Sequence, residues 1–368
     1  MRDTIFDECS LNRNRVKWED YLYKMTPVHF WEDMYLKRED YFAPLGYAGI
    51  NGAKLRQCIW LTNDYVRNGG IEGVISGASV LSPQLPMGSA VAIHYGLKSM
   101  HVIGATRPDV CMKKEMVKMA TWFDAEFYFI KVAYNPCLQR KVKQLKAGEY
   151  KNYYELNYGI AVDPEEKINK IIEFHNLSGN QVQNIPKHIT DLVIPSGSCN
   201  STISILYGLA KYRPLKKLNV HLVGIGPSKI RFIYERLKFI KENSKINTIN
   251  YTKKFNNDIF KSEIGEDSYD LYYYDLHSTG YVDYQQQMKY DFEGIELHPT
   301  YEGKVMTYLR DKLPHLANEN TLFWIVGSKP YLTEMEYFRR ELGNFPVEPN
   351  VIKNEWEEKS DNGQIRFA

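Results

Sequence analysis

The chain has 368 residues, of which 43% are hydrophobic and 25% are charged. This composition is typical of a folded globular protein and excludes a disordered or collagen-like chain. The 47 basic and 45 acidic side chains leave a formal charge of +2, which excludes a polycation that binds nucleic acid by net charge alone.

Two alternations of strand-like and helix-like patterns follow each other along the chain, and the length fits two domains or one α/β unit with an insertion. The first alternation predicts strands at 71–75, 99–103 and 126–130 and helices at 84–95 and 109–122. Residues 131–160 show no clear periodicity and are predicted to be an irregular excursion of this first unit.

The second alternation begins with an apolar strand at 191–195, a Gly/Ser/Asn loop and a helix that ends at Tyr212. It continues with predicted strands at 218–223, 270–274 and 321–326 and predicted helices at 227–241 and 300–312. The sequence therefore predicts two parallel-sheet units, separated near residues 180–190.

The cysteines are widely spaced and form neither a C-x-x-C pair nor a Cys/His cluster with metal-ligand spacing. They are Cys9, Cys58, Cys111, Cys137 and Cys199. We therefore expect no metal site and a reducing, cytoplasmic setting. The N-terminal residues lack the apolar region of a signal peptide, and no apolar run of about 18 residues occurs, so we expect neither secretion nor a membrane span.

Lys54 is the first candidate for chemistry. It follows a loop with glycines at Gly46, Gly49 and Gly52 and precedes an apolar helix predicted from Cys58 to Tyr65. A lysine held in such a pocket loses hydration, which lowers its pKa and lets it form a Schiff base. A solvated surface lysine at a helix start is the commoner explanation of the same pattern.

The loop after the predicted strand at 191–195 is a candidate anion site. Its small residues let backbone N–H groups and hydroxyls converge on an anion at a helix N-terminus. A polar turn with a Ser or Asn cap explains the loop equally well, and the loop is neither a Walker A nor a G-x-G-x-x-G motif. The candidate phosphate-binding residues are Gly197, Ser198, Cys199, Asn200, Ser201 and Thr202.

A third motif, Pro-Thr-Tyr-Glu-Gly-Lys at 299–304, opens a predicted helix. Together with Leu-Lys-Arg-Glu-Asp at 36–40, the lysine segment at 52–57 and the loop at 197–202, it resembles the fold type II pyridoxal-phosphate enzymes. The likeness is to the 1-aminocyclopropane-1-carboxylate deaminase and D-cysteine desulfhydrase branch, and it extends over roughly residues 25–330.

The resemblance implies a two-domain α/β fold of the tryptophan synthase β type, with parallel sheets, pyridoxal 5'-phosphate in the cleft between the domains, and a homodimer. It implies a large cofactor-binding domain formed by residues 1–59 and 189–368. Residues 60–188 would form an inserted small domain.

The resemblance also implies residue roles. Lys54 would carry the cofactor as a Schiff base and then act as base or acid at Cα. Glu302 would face the pyridine nitrogen, where a carboxylate favours the protonated ring and strong carbanion stabilisation. Tyr281, which follows Gly280, and Tyr301 would be catalytic phenols in the active site.

The segment at 77–84 departs from the family. The branch has a Ser-Asn-His/Gln motif there that holds the substrate carboxylate and contacts the cofactor ring through its Asn, which this chain lacks. Ser79, Ser82 and Gln84 are the candidates for binding the carboxylate, and Ser82 is also a candidate catalytic residue. Ala53 stands where the branch has an Asn before the lysine.

A basic, tyrosine-rich stretch at 131–158 complicates a purely metabolic interpretation. Basic side chains interleaved with rings are typical of a nucleic-acid groove, whereas a solvated helix face with packed tyrosines is the commoner case. The residues concerned are Lys131, Arg140, Lys141, Lys143, Lys146 and Lys151, with Tyr134, Tyr150, Tyr153, Tyr154 and Tyr158.

Three functions are consistent with these residues. The first is a pyridoxal-phosphate enzyme of deaminase or lyase type that acts on a small amino acid. The second is a pyridoxal-phosphate decarboxylase or lyase that acts on an aminoacyl group attached to a larger molecule, such as a modified DNA base. The third is a catalytically inactive relative that serves as a binding protein.

Overall fold

The computed structural model describes residues 5–6, 16–46, 49–104, 107–213, 218–244, 251–256, 259–262, 270–283, 286–292, 295–331 and 350–354. Cys9 lies outside these residues, and so does most of the N-terminal segment that was predicted to lack a signal peptide. Within the described part of the chain, no helix is long and apolar enough to cross a lipid bilayer.

The helices of the described residues are Ala53–Asn68 (α1), Gln84–His94 (α2), Pro108–Cys111 (α3), Glu115–Trp122 (α4), Asn135–Lys146 (α5), Ile168–Gly179 (α6), Asn200–Tyr212 (α7), Ile230–Asn243 (α8) and Glu302–Lys312 (α9). The strands are Val28–Trp31 (β1), Met34–Arg38 (β2), Gly73–Gly77 (β3), Lys98–Gly104 (β4), Ala125–Ile130 (β5), Tyr153–Leu156 (β6), Asp191–Ser196 (β7), Asn219–Gly224 (β8), Tyr251–Asn256 (β9), Ile259–Ser262 (β10), Asp270–Asp275 (β11), Asp291–Phe292 (β12), Ile295–Glu296 (β13), Thr321–Ile325 (β14) and Asn350–Asn354 (β15).

The chain divides into two compact units, and the first comprises Met1–Gln57 and Asp163–Tyr331. Its sheet has the strand order β1-β2-β14-β7-β8-β11-β10-β9 in the described residues. The neighbouring strands β2, β14, β7, β8 and β11 of this sheet are parallel, with Ser196 of β7 paired to Gly224 of β8. These central strands are apolar almost throughout because both faces of a parallel sheet are covered.

The second unit comprises Cys58–Val162 and Leu332–Ala368. Its described sheet is parallel throughout, with the strand order β15-β5-β4-β3-β6. One face of this sheet packs on Leu85 of α2 and Val117 of α4, and another cluster includes Leu138 and Val142 of α5. The α/β class with parallel sheets that the sequence predicted is confirmed.

The second segment of the first unit begins at Asp163, which is earlier in the chain than the predicted domain boundary at residue 189. Helix α6 packs on α7, with His175 Nδ1 3.0 Å from Ser204 Oγ. Gly179 and Gly208 approach so closely that a Cβ on Gly208 would overlap the Gly179 carbonyl oxygen. This contact places residues 163–188 with α7 in the first unit.

Two predicted elements were wrong in detail. The predicted helix at 109–122 is two helices, α3 and α4, because the chain is extended at Lys114 (φ −75°, ψ 137°). The stretch at 131–160 is not irregular, since it contains α5 and β6, and β6 pairs in parallel with β3. Only Leu138 and Val142 of α5 are buried, so its apolar stripe is too narrow to stand out among the charges.

Candidate active site

Lys54 lies in the first turn of α1, because that helix begins at Ala53 and not at the predicted Cys58. Gly52 has a φ of +98°, and a Cβ there would overlap the Val326 carbonyl oxygen just beyond β14. The Ala53 backbone N–H donates to the same oxygen at 2.9 Å. The segment after β14 therefore fixes where α1 begins and where Lys54 stands.

Asn51 ties the same two segments together through its buried amide. Its Nδ2 donates to the Gly49 carbonyl (2.7 Å) and to Ser328 Oγ (3.1 Å), and its Oδ1 accepts the Ser328 N–H (2.9 Å). Asn51 is not among the predicted site residues, because the family resemblance places an Asn directly before the lysine, where this chain has Ala53. The neighbours of Asn51 in sequence give no sign of its pairing with Ser328, which is 277 residues away.

The predicted phosphate loop connects β7 to the N-terminus of α7. Cys199 is in the left-handed conformation (φ 69°) and directs the chain into the helix. The hydroxyls of Ser198 and Ser201 are buried and have no hydrogen-bond partner among the described residues. Buried hydroxyls without partners are costly, and their position at a helix N-terminus fits a bound phosphate group.

Glu302 is the first residue of α9 and is buried. Its Oε1 accepts the Gly327 backbone N–H at 3.3 Å. Burial raises the pKa of this carboxyl to about 8, against the opposing effect of that hydrogen bond and of the Lys54 charge. A buried carboxyl that holds a proton near neutral pH suits a pyridine nitrogen, with which it can share that proton.

Tyr301 connects these features within the first unit. Its ring centroid lies 5.7 Å from Lys54 Nζ, and its Cε1 is 3.5 Å from the position of a Cβ on Gly197. Burial lowers the pKa of Lys54, while the nearby Glu302 and Cys199 raise it. The structure thus brings together the predicted lysine, phenol, carboxyl and phosphate loop. These residues fit pyridoxal phosphate, and the roles of the loop at its phosphate and of Glu302 at its ring nitrogen remain predictions.

The candidate carboxylate-binding residues lie in the second unit, at the start of α2. The Oγ atoms of Ser79 and Ser82 accept the N–H groups of Leu81 (3.3 Å) and Gln84 (3.2 Å). Each hydroxyl retains its own proton for donation to a carboxylate. The Gln84 amide donates to the carbonyls of Leu156 and Asn157 and accepts the Gly159 N–H, so it braces the unit, and its carboxylate-binding role remains a prediction.

Tyr281 contacts residues of the first unit that are not among those described around Lys54. Its hydroxyl donates to Asp311 Oδ2 at 3.0 Å, and its ring packs edge-on against Tyr308. Asp311 lies nine residues after Glu302 along α9, a separation of about 13 Å at about 1.5 Å per residue. The catalytic role that the resemblance implied for Tyr281 remains a prediction.

The tyrosines of the basic stretch are mostly structural. Tyr150, Tyr153 and Tyr154 are buried, which supports packed tyrosines over stacking rings, the two alternatives considered for these three. Tyr134 and Tyr158 are 68% and 40% exposed. The predicted nucleic-acid surface is therefore reduced to the exposed basic side chains and these two rings.

Buried charged side chains link the Leu36–Asp40 motif to α1, the helix that carries Lys54. Arg56 of α1 is 3.4 Å from Glu39, and Arg38 is 2.8 Å from Asp40. Lys37 Nζ donates to the Thr26 carbonyl and to Asn184 Oδ1, both at 2.7 Å. Burial lowers the pKa of Lys37 to about 7. The Leu36–Asp40 motif is thus tied through Glu39 to α1, the helix that carries Lys54.

One curated relative is similar over most of the chain. It is the O-seryl-dTMP PLP-dependent decarboxylase of Salmonella phage ViI, 44% identical over 378 aligned positions that cover 90% of this chain and 88% of the relative. No protein-family model matches the chain.

Solved structures resemble the whole fold at low identity. The structure described as the ACC deaminase homologue has a TM-score of 0.59 at 16% identity and covers 89% of this chain and 98% of that chain. The processed form of threonine deaminase isoform 2 from Solanum lycopersicum has a TM-score of 0.52 at 13% identity and covers 93% and 96%. These likenesses show a fold shared with pyridoxal-phosphate enzymes.

Proposed function

The chain is a fold type II pyridoxal-phosphate enzyme of the family to which the phage ViI decarboxylase belongs, and from this we propose that it decarboxylates a seryl group carried by a thymidine nucleotide. The observation that carries the proposal is 44% identity over 90% of the chain. It corresponds to the second function considered from the sequence, an aminoacyl group on a larger molecule.

In this reaction the bond between Cα and the carboxylate breaks, CO2 leaves, and Cα takes up a proton while the amino group stays. Pyridoxal phosphate, when bound, supplies the electron sink for the bonding pair that CO2 leaves behind. The protein must then hold the substrate still and deliver one proton to Cα.

The described residues can meet these needs. Lys54 Nζ would hold the cofactor, and its lowered pKa makes its ammonium a ready proton donor to Cα once substrate has released it. Glu302 would share one proton with the ring nitrogen, because burial raises its pKa to about 8. The unpaired hydroxyls of Ser198 and Ser201 would bind the phosphate.

We also propose that the exposed basic face around α5 contacts a polynucleotide when the substrate is part of DNA. Lys131, Arg140 and Lys143 are exposed there, next to Tyr134. Charges on this face would contribute to the affinity for DNA but not for a mononucleotide. Arg140→Glu should therefore raise KM for a DNA-linked substrate and leave KM for the mononucleotide unchanged. Equal KM values for DNA in Arg140→Glu and the wild type would contradict this role.

The first function considered, a deaminase or lyase for a small amino acid, draws its support from solved structures that are 13–16% identical and show only the fold. An assay of the reaction products distinguishes the two functions, because deamination releases ammonia and an oxo acid whereas decarboxylation releases CO2 and keeps the amine. The inactive relative is set aside, because the chain belongs to an enzyme family and keeps Lys54 beside Glu302.

The decisive experiment incubates the holoenzyme with O-seryl-dTMP, with the same group in DNA, and with free serine. Mass spectrometry should show loss of CO2 from a nucleotide-linked substrate with the amine retained. Lys54→Ala is the control and should show no CO2 loss and no cofactor fixed by borohydride. Ammonia from free amino acids, without CO2 from either nucleotide substrate, would overturn the proposal.

A further inference from the structure

His298 is a buried histidine that the reaction outlined above does not use. It is 6% exposed and stands directly before Pro299, at the start of the segment that leads into α9. Its Nδ1 accepts the Thr300 backbone N–H at 3.3 Å. A neutral imidazole that accepts at Nδ1 carries its proton at Nε2, and this Nε2 has no partner among the described residues.

The imidazole lies at the candidate active site. Its ring centroid is 4.7 Å from that of Tyr301, and the Tyr301 ring is also the one within 5.7 Å of Lys54 Nζ. The charges that act on His298 are those of Lys54, Lys329 and Lys304, all positive. A buried N–H donor in a field of positive charge favours an oxygen that carries negative charge.

The neutral form of His298 is favoured near neutral pH. Burial, aided by the three lysines, lowers its pKa to about 3. The neutral ring can therefore donate one hydrogen bond, from Nε2, while its Nδ1 accepts the Thr300 N–H.

We propose that His298 binds a negatively charged oxygen of the molecule held at Lys54, with Nε2–H as the donor. The inference rests on the proposed function, because it needs Lys54 to be the cofactor lysine. The oxygen belongs either to the cofactor or to the substrate, and the two arms of the test distinguish these sources.

Two substitutions separate the two ring nitrogens. His298→Asn places an oxygen near the position of Nδ1, so the Thr300 N–H keeps an acceptor in an Asx-turn, but the distal donor is removed. His298→Gln places an amide N–H near the position of Nε2 and so restores the donor. Both variants keep a polar side chain of similar size, and the pair serves as its own control for folding.

The first arm titrates the apoprotein with pyridoxal phosphate and follows the visible absorption band that borohydride bleaches. The second arm measures KM for O-seryl-dTMP at saturating cofactor. One lost hydrogen bond should weaken binding about tenfold in His298→Asn, with recovery in His298→Gln. Weakening in the first arm assigns a cofactor oxygen, and weakening in the second arm alone assigns a substrate oxygen.

A third measurement uses wild-type protein and needs no variant to fold. The ¹⁵N resonances of His298 should report the Nε2–H tautomer at pH 5 to 8 and should shift when the assigned ligand binds. Wild-type affinity in both arms for His298→Asn, or an Nε2 resonance that ignores both ligands, would overturn the inference. Failure of the wild type to bind pyridoxal phosphate would instead overturn the proposed function.

Discussion

Replacing Gly52 by alanine should destabilise the protein and misplace Lys54. Gly52 has a φ of +98°, which L-residues rarely adopt, and its added Cβ would overlap the Val326 carbonyl oxygen and lie 2.9 Å from Gly327 Cα. Both obstacles are backbone atoms, so no side-chain rotation can relieve the contact. The start of α1 must move away from the segment after β14.

The cost has two parts. The left-handed conformation costs a residue with a Cβ about 1–2 kcal/mol, and forcing a methyl group into a filled space costs about 1–3 kcal/mol more. We therefore expect Gly52→Ala to lower the free energy of unfolding by about 2–5 kcal/mol. Gly280 is the matched control in the same unit, because its φ is +69° but nothing lies within 4 Å of an added Cβ. Gly280→Ala should show only the first part, about 1–2 kcal/mol.

Urea denaturation of both apoproteins, followed by circular dichroism, measures the two free energies, and absorption spectroscopy measures cofactor binding. Gly52→Ala should bind pyridoxal phosphate more weakly than the wild type, since Lys54 follows two residues later. Equal losses of stability in Gly52→Ala and Gly280→Ala would refute the argument that the Val326 contact fixes the start of α1.

Three further outcomes are expected. Lys37 has a pKa of about 7 in the folded protein against 10.5 when unfolded, so the unfolded chain binds more protons between these values and Lys37 makes stability rise with pH there by up to about 5 kcal/mol. Lys37→Met should reduce the rise in urea titrations from pH 7 to 10.5 and leave the part due to Lys54 and Lys304, whose pKa values burial also lowers; an unchanged slope would contradict the assignment. Cys199 is in the left-handed conformation (φ 69°), so Cys199→Gly removes the steric cost of its Cβ and should raise the free energy of unfolding by up to about 1 kcal/mol. A loss of stability would show that the packing of the thiol contributes more than this steric cost. Tyr281→Phe removes a hydroxyl bonded to Asp311 and should leave the affinity for pyridoxal phosphate at the wild-type value, with a marked loss pointing to the catalytic role that the resemblance implied.

Much of the fold could be predicted because buried parallel strands leave continuous apolar runs in the sequence. Strands β7 and β14 were predicted almost to the residue, as Asp191–Ser196 and Thr321–Ile325 show. Helix α5 left no such signal, since only two of its residues are buried. The unit boundary was also hidden, because the packing of α6 on α7 depends on the approach of Gly179 to Gly208, which no local pattern reports.

The candidate site was predictable where chemistry resides in one short motif. Lys54, Glu302 and the loop at 197–202 each lie in a short motif, and the order of these motifs along the chain carries the family resemblance that singled them out. Asn51 could not be assigned in the same way, because its amide is paired with Ser328, 277 residues away. The role proposed for His298 rests on its contact with Tyr301 and on an Nε2 without a partner in the described part of the chain, and both properties arise from the fold.

The strand order explains why such distant segments meet. Strands β2, β14, β7 and β8 are neighbours and run parallel, so the segments that follow them lie along one edge of the sheet. In open α/β sheets this carboxyl edge is where ligands bind. The segment after β14 accepts the Ala53 N–H at the Val326 carbonyl and donates the Gly327 N–H to Glu302. Gly197 of the loop after β7 lies close to the Tyr301 ring. The short turn beyond β14 therefore sets the position of Lys54 relative to the Glu302 carboxyl. A change in this turn should disturb both residues of the candidate cofactor site at once.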